Sequence, residues 1–175
     1  MQGLVHIYTG NGKGKTSAAV GLGIRACGRG FKVLMVQFLK GTETGEAITI
    51  EKLAPMFTIH RGKSTGKFTW QMSSEEKEYE KNVQNELLDY ARKAAASGQW
   101  QMVILDEIMA AIKSEMVKVE DVVSLIKDRH RDVEIVLTGR NAPNELIELA
   151  DYVSEINEVK HPMNKGIAAR KGIEF

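Results

Sequence analysis

The feature that most constrains the fold is a glycine-rich stretch at residues 8–17, which reads Tyr-Thr-Gly-Asn-Gly-Lys-Gly-Lys-Thr-Ser. A short β-rich run precedes it, and apolar residues at helical spacing follow it over residues 16–27. Glycines let backbone N–H groups turn inward, and the start of a helix adds partial positive charge. Lys15 supplies an ammonium group, and the Thr16 hydroxyl can bind Mg²⁺. The sequence therefore predicts a phosphate-binding loop (P-loop) for a nucleoside triphosphate and its metal.

The P-loop departs from the usual pattern at one position. In Gly-x-x-x-x-Gly-Lys-Ser/Thr the first glycine would stand at position 9, where this chain has Thr9. Gly10 and Gly12 follow instead, which leaves open whether the phosphates are seated as in an ordinary ATPase. The predicted nucleotide-binding residues of the loop are Thr9, Gly10, Asn11, Gly12, Lys13, Gly14, Lys15, Thr16 and Ser17.

Size and composition narrow the class of protein. A chain of 175 residues with 43% hydrophobic residues fits a single globular domain over residues 1–175. A formal net charge of +1 gives no broad basic face, so nucleic acid is not expected as a partner. No long apolar span and no signal segment occurs, which predicts a cytoplasmic protein without membrane contact. The four histidines have no zinc-ligand spacing.

The order of strands and helices predicts an α/β fold, with a mostly parallel sheet covered by helices on both faces. Near-continuous apolar runs are typical of buried parallel strands. The predicted strands after the P-loop are residues 32–38, 102–105 and 133–138, with further short strands near 56–60 and 152–156. Helices are expected over residues 73–98, which start with a capping box, over 119–130, and from Pro143 to Leu149. The segment 39–72 is predicted to be irregular and to form a substrate loop.

Three polar residues follow predicted strands at the same edge of the sheet as the P-loop. Asp106 and Glu107 end one strand, where P-loop proteins keep the carboxylates that organise a metal ion. A carboxylate there could instead cap the following helix. Arg140 follows another strand and is predicted to contact phosphate or substrate, although a solvated loop arginine is nearly as well supported.

Several motifs together resemble those of the P-loop corrinoid adenosyltransferases. They are residues 10–16, 36–41, 68–70, 105–107, 137–140 and the C-terminal stretch 161–175, which ends Gly-Ile-Ala-Ala-Arg-Lys-Gly-Ile-Glu-Phe. The resemblance covers almost the whole chain. It implies a single-domain RecA-like P-loop NTPase fold and a homodimer.

The resemblance also implies a reaction. A reduced Co(I) corrinoid attacks C5′ of ATP, and inorganic triphosphate leaves. Lys15, the loop amides and Mg²⁺ (or Mn²⁺) on Thr16 would stabilise the leaving charge, with Asp106 and Glu107 organising the metal. Phe68 and Trp70 would lie beneath the corrin and exclude an axial ligand, so that a flavoprotein could reduce Co(II) during a transient encounter.

Two other functions fit part of the pattern. In a P-loop phosphotransferase or ATPase, Glu107 would activate water or an acceptor hydroxyl, and ADP would form. A non-catalytic, nucleotide-gated regulator would bind partners through segment 39–72. Phe68 and Trp70 could also simply anchor their loop to the core.

Overall fold

The computed structural model describes residues 2–67 and 69–173. Its centre is a six-stranded sheet in the order β3-β2-β4-β5-β1-β6, and every neighbouring pair of strands is parallel. The strands are β1 (Val5–Thr9), β2 (Val33–Gln37), β3 (Phe57–Arg61), β4 (Met102–Asp106), β5 (Glu134–Thr138) and β6 (Tyr152–Glu155). The helices are α1 (Lys15–Cys27), α2 (Gly45–Glu51), α3 (Ser74–Ser97), α4 (Ile108–Lys113), α5 (Val119–Asp128) and α6 (Asn144–Ile147).

Helices cover both faces of the sheet, which confirms the predicted α/β class. β2 and β4 are buried at every position because they lie in the middle of the sheet between two hydrophobic cores. One core includes side chains of α1 and α2, and the other includes side chains of α3 to α6. Since all strands are parallel, their carboxyl ends meet at one edge, where ligands of open α/β sheets bind.

Helix α3 follows the sequence prediction closely. The Ser73 side chain accepts a hydrogen bond from the Glu76 N–H, and the Glu76 carboxylate accepts one from the Ser73 N–H. This is the predicted capping box, and it satisfies two backbone donors at the start of the helix. Gly98, in the left-handed region with φ 66°, ends the helix.

Other elements differ from the prediction. Segment 39–72 is not wholly irregular, because α2 lies within it and packs Ile50 into the core. The helix predicted to run from Pro143 to Leu149 is shorter and covers only α6. The chain leaves this helix because Asp151 is bound to β1: its N–H donates to the Val5 carbonyl, and its carboxylate accepts from the Val5 N–H.

The predicted helix over residues 119–130 is also slightly shorter. It ends at Asp128, because Arg129 is already extended. In residues 2–67 and 69–173, no helix combines the length and the apolar character needed to cross a bilayer.

Candidate active site

A cavity of about 340 Å³ lies at the carboxyl edge of the sheet, where the P-loop leaves β1. It brings together residues that the sequence predicts to act on the nucleotide: Asn11, Gly12, Lys13, Gly14, Lys15, Thr16, Ser17, Glu107 and Arg140. Lys40, His161 and Ile173 also line it, and these three are not among the residues predicted from the sequence. Lys40 lies in the motif at residues 36–41, and His161 and Ile173 lie in the C-terminal motif at residues 161–175. These motifs could therefore have indicated all three residues.

Thr9, the departure from the usual P-loop, ends β1 and is buried. Its hydroxyl oxygen accepts a hydrogen bond from the Ala142 N–H at 3.3 Å. Thr9 therefore links the start of the P-loop to the loop that carries Arg140. Arg140 itself is exposed and lies at the cavity wall.

The first half of the P-loop packs against the segment that follows β6. The Gly12 N–H donates to the Ile156 carbonyl at 2.7 Å, and a Cβ on Gly10 would stand 2.4 Å from the same oxygen. Gly10 also has φ 99°, a conformation that glycine adopts without strain. Because the Gly12 N–H is engaged, the amides available to an anion lie further along, at the start of α1.

Lys15 is only 8% exposed, and its ammonium group lies across the loop. It donates to the carbonyl oxygens of Gly10 and Gly12, each at 2.8 Å. Burial lowers the pKa of Lys15, the nearby Glu107 carboxylate raises it, and Arg140 lowers it. The side chain therefore places a cation within the P-loop, at the position where the sequence predicts the phosphates.

Asp106 is fully buried beneath the cavity, and its carboxylate accepts three hydrogen bonds. Oδ1 accepts from the hydroxyls of Thr16 and Thr138, each at 2.8 Å, and Oδ2 accepts from the Gln37 amide at 3.1 Å. An ionised carboxylate can only accept, so it fixes the direction of the Thr16 hydroxyl. The Thr16 hydrogen is used towards Asp106, which leaves the lone pairs of the oxygen for a cation.

The Thr16 oxygen is suited to a hard cation such as Mg²⁺, which prefers oxygen ligands and completes its shell with phosphate oxygens and water. Across the described ranges, no group of three or more histidine, cysteine or carboxylate side chains forms a ready-made metal cage. The donor set therefore fits a metal that arrives with a polyphosphate better than a permanently bound one.

Glu107 follows Asp106 in a left-handed conformation, with φ 62°. Its N–H donates to the Thr138 hydroxyl at 2.9 Å, which fixes the backbone at this bend. Burial raises the pKa of Glu107, and Asp106 raises it further, whereas Lys40, Lys15 and Arg140 lower it. Glu107 precedes α4, but its side chain makes no capping hydrogen bond to that helix. The helix-capping alternative therefore does not describe Glu107.

A polar network connects Asp106 to the neighbouring loop. Gln37 is 1% exposed, and its carbonyl oxygen accepts a hydrogen bond from Arg61 Nε at 2.6 Å. Arg61 also donates to the Thr42 carbonyl at 3.1 Å and to the Thr44 hydroxyl at 2.7 Å. The nucleotide side of the site is thus joined to residues 42–44. This network was not predicted from the sequence, although a glutamine inside an apolar strand was a visible signal.

A second cavity of about 620 Å³ adjoins the first one. The two share Thr16, Ser17, Lys40 and Ile173, and the second extends along α1 and α2. Both volumes are of the size that holds a small-molecule ligand. The end of the P-loop, at Thr16 and Ser17, therefore borders two adjoining cavities.

Trp70 lies in a single 3₁₀ turn, Thr69–Gln71, and is 75% exposed. The preceding loop is held by other residues: the Tyr79 hydroxyl donates to the Lys63 carbonyl at 3.1 Å, and Lys67 forms an ion pair with Glu76. With three quarters of its surface exposed, the Trp70 ring is not packed into the hydrophobic core. Phe68, the other predicted aromatic, lies outside the described residues.

Comparisons with known proteins bear on this site. The family model for ATP:corrinoid adenosyltransferase BtuR/CobO/CobP matches residues 1–175. The chain is 36% identical over 175 residues to the corrinoid adenosyltransferase of Escherichia coli strain K12, covering 99% of this chain and 86% of that one. It is 34% identical over 175 residues to the corrinoid adenosyltransferase CobA of Salmonella typhimurium strain LT2, with the same coverage of 99% and 86%.

A solved structure shares the fold. The crystal structure of the RadB recombinase matches with a TM-score of 0.57 and 14% sequence identity, covering 92% of this chain and 77% of that chain. At this identity the likeness concerns the fold alone. It agrees with the predicted RecA-like α/β architecture.

Proposed function

Because this chain belongs to the ATP:corrinoid adenosyltransferase family, we propose that its P-loop cavity holds the triphosphate of ATP while the adenosyl group passes to a corrinoid. The chain is an enzyme, and its substrates are ATP and a corrinoid. The observation that carries the assignment of the site is the Thr16 hydroxyl, which Asp106 orients within the P-loop cavity.

The bond that breaks is the C5′–O bond of ATP. The electron pair of Co(I) forms a cobalt–carbon bond to C5′, and the electrons of the C5′–O bond leave with triphosphate. Cobalt therefore rises formally from Co(I) to Co(III). Negative charge grows on the departing oxygen, and Lys15 and the amides at the start of α1 stabilise it. Arg140 and Lys13 add positive charge to the same cavity.

Thr16 and Glu107 would hold Mg²⁺ or Mn²⁺, and Asp106 acts by orienting Thr16 rather than by direct contact. When bound, the cation neutralises charge on the triphosphate. Glu107 is a metal-organising residue here and not a base, because no water attacks phosphorus in this reaction. Burial raises the pKa of Glu107, and a cation beside the carboxylate would favour its ionised form.

Trp70 and Phe68 would face the corrin. A tryptophan with 75% of its surface exposed, on a loop that other residues anchor, supports a role in contacting a large ligand. Its ring would occupy the lower face of the corrin and exclude an axial donor. Loss of that donor lowers the energy of the cobalt orbital facing it, so Co(II) accepts an electron more readily from a flavoprotein.

The setting of the enzyme is also part of this proposal. We place it in the cytoplasm, where ATP and a flavoprotein reductant are available, and in a homodimer. Support for a second copy comes from the sheet edge, where Tyr152 and Val153 of β6 are 53% and 45% exposed.

The experiment that tests the function is analysis of the phosphate product. The protein is incubated with ATP, Mg²⁺ and cob(I)alamin prepared chemically, and phosphorus NMR follows the reaction. We expect inorganic triphosphate in step with adenosylated corrinoid, and no triphosphate when corrinoid is omitted. ADP formation without adenosylated corrinoid would overturn the assignment in favour of phosphoryl transfer. Lys15→Ala serves as the inactive control.

A further inference from the structure

Two polar side chains of α3 are completely buried, although this helix otherwise turns an apolar stripe towards the sheet. Glu80 and Gln84 are both 0% exposed. They stand four residues apart and therefore on the same face of the helix. A buried carboxylate is costly unless hydrogen bonds compensate for the lost water. The role proposed above for the P-loop and Trp70 uses neither residue.

The hydrogen bonds of this pair join two loops. Glu80 Oε2 accepts from the Thr65 N–H at 2.9 Å, and Glu80 Oε1 accepts from the Gln84 amide at 2.6 Å. The carbonyl oxygen of Gln84 then accepts from the Leu39 N–H at 3.1 Å. A chain of three hydrogen bonds thus runs from the 62–67 loop, through the helix, to the 39–44 loop.

The direction of these bonds explains the choice of residues. Both ends of the chain are backbone N–H donors, so the bridge must accept at both ends. A carboxylate accepts twice, and an amide both donates and accepts, so one of each satisfies every group. Two amides would set two donors against each other, and two carboxylates would repel. One acid and one amide is therefore the combination required, in either order.

The two loops also touch directly. A Cβ on Gly41 would stand 2.3 Å from the Gly66 Cα, so the backbones cross with no room for a side chain. Leu39, at the start of the first loop, holds φ 54°, which an L-residue adopts only when its surroundings impose it. The bond from Leu39 to Gln84 is one of the contacts that impose it.

Each loop leads to one half of the site. The 39–44 loop carries Lys40, which lines the P-loop cavity, and the 62–67 loop leads into Trp70. We propose that Glu80 and Gln84 are positioning residues that fix these loops to each other and so set the position of Trp70 relative to the nucleotide. This inference rests on the proposed function, which assigns the nucleotide to the P-loop half of the site and the corrinoid to the Trp70 half. The hydrogen-bond chain itself can be tested separately.

The test uses the polarity of the chain. Glu80→Gln and Gln84→Glu are each nearly isosteric, and each breaks the donor–acceptor order. The double variant Glu80→Gln/Gln84→Glu restores it. The amide introduced at position 80 can accept from the Thr65 N–H and donate to the carboxylate introduced at position 84, which accepts from the Leu39 N–H. We measure corrinoid KM and kcat with Co(II) corrinoid reduced by a flavoprotein, because Trp70 is proposed to act in that step. We also measure ATP affinity without corrinoid and hydrogen exchange of the Thr65 and Leu39 amides.

We expect each single variant to lose about tenfold or more in kcat/KM for the corrinoid, because a buried donor or acceptor is left unpaired. Its ATP affinity should change by less than about threefold, since the P-loop is untouched, and its two loop amides should exchange faster. The double variant Glu80→Gln/Gln84→Glu should recover both the protection of the two amides from exchange and most of kcat/KM. A merely structural role would lower the melting temperature without this recovery and would weaken ATP and corrinoid use alike.

Three results would overturn the inference. They are wild-type corrinoid kinetics in both single variants, a double variant that performs no better than the single variants, or unaltered hydrogen exchange at the Thr65 and Leu39 amides. If the single variants do not fold, the double variant alone tests the inference, because it must fold and be active for the inference to stand. Failure of the proposed function would look different. Trp70→Ala would then leave the flavoprotein-driven turnover normal, while the double variant still restored amide protection.

Discussion

The hydroxyl of Thr16 donates a hydrogen bond to Oδ1 of Asp106 at 2.8 Å, across 90 positions of sequence. Asp106 is fully buried, so this bond persists beneath the cavity and keeps the Thr16 oxygen turned towards the ligand space. Most of the expected behaviour of the nucleotide site follows from this contact and from the lysine beside it.

The first prediction concerns the Thr16 hydroxyl. Thr16→Val keeps the shape of the side chain but removes the oxygen, so we expect turnover to fall about 10²- to 10³-fold. Thr16→Ser, the matched control, keeps the hydroxyl and should stay within about tenfold of wild type. Steady-state assays over a range of Mg²⁺ concentrations check this. Equal losses in the two variants would contradict this role of the oxygen, because Thr16→Ser keeps the hydroxyl.

The second prediction concerns Lys15. Lys15→Ala removes the cation that lies across the P-loop, and we expect a loss of about 10²- to 10³-fold in turnover with the fold retained. Retention of the fold is checked by circular dichroism and thermal melting. Lys13→Ala is a useful comparison, because Lys13 also lines the cavity but stands outside the Gly-Lys-Thr motif, and its effect should be smaller. Near-normal turnover in folded Lys15→Ala protein would exclude the P-loop from the mechanism.

A third prediction separates two roles for Glu107. As an organiser of the metal, Glu107→Gln should raise the Mg²⁺ concentration needed for half-maximal rate by roughly 10- to 100-fold. The rate at saturating Mg²⁺ should then recover substantially. As a catalytic base, the same change would lower the rate at every Mg²⁺ concentration and would not respond to added metal. Titrating Mg²⁺ against the initial rate distinguishes the two.

The fourth prediction concerns Trp70, and Phe68 with it. Trp70→Ala and Phe68→Ala should be severely slowed when a flavoprotein reduces Co(II) corrinoid, yet largely rescued when Co(I) is supplied chemically. Trp70→Phe keeps an aromatic ring and should fall between alanine and wild type. The spectrum of Co(II) corrinoid with ATP and enzyme gives a direct check, because the four-coordinate signal should fade in the alanine variants. Equal slowing in both assays would favour a loop-anchoring role.

The fifth prediction concerns stability and pH. His60 stacks on Tyr90 with ring centroids 3.8 Å apart, and burial lowers its pKa from the ordinary value of 6.5. Below that value the unfolded chain binds a proton that the folded protein resists, so stability from this site is present above about pH 6.5 and is lost as pH falls. His60→Phe keeps the stack without a titrating group. Denaturant unfolding at several pH values should show a shallower loss on acidification in this variant.

The sequence predicted those parts of the structure whose causes are local. Glycines and a following Lys-Thr identify the P-loop, and Ser73 with Glu76 marks the start of α3, because each signal lies within a few residues. Apolar runs likewise located β2 and β4. Helix α2, with only seven residues, is too short to leave a clear periodic pattern.

Contacts between residues that lie far apart in the sequence could not be predicted in the same way. Gln37 meets Asp106 across 69 positions, and nothing near either residue encodes that contact. Glu80 looks like a solvent-facing residue of an amphipathic helix until its partners, Thr65 and Gln84, are placed around it. Such residues depend on how loops return to the sheet, which pattern and propensity do not specify.

The position of β1 in the sheet affects the order in which the enzyme folds during its synthesis. Within residues 2–67 and 69–173, this first strand pairs with β5 and β6, which begin only at residues 134 and 152. The loop that follows β1 rests on Ile156, a residue made later still. In a nascent chain the P-loop therefore lacks this support until residue 156 has been synthesised. ATP binding can therefore stabilise the completed fold, but it cannot assist the early steps of folding.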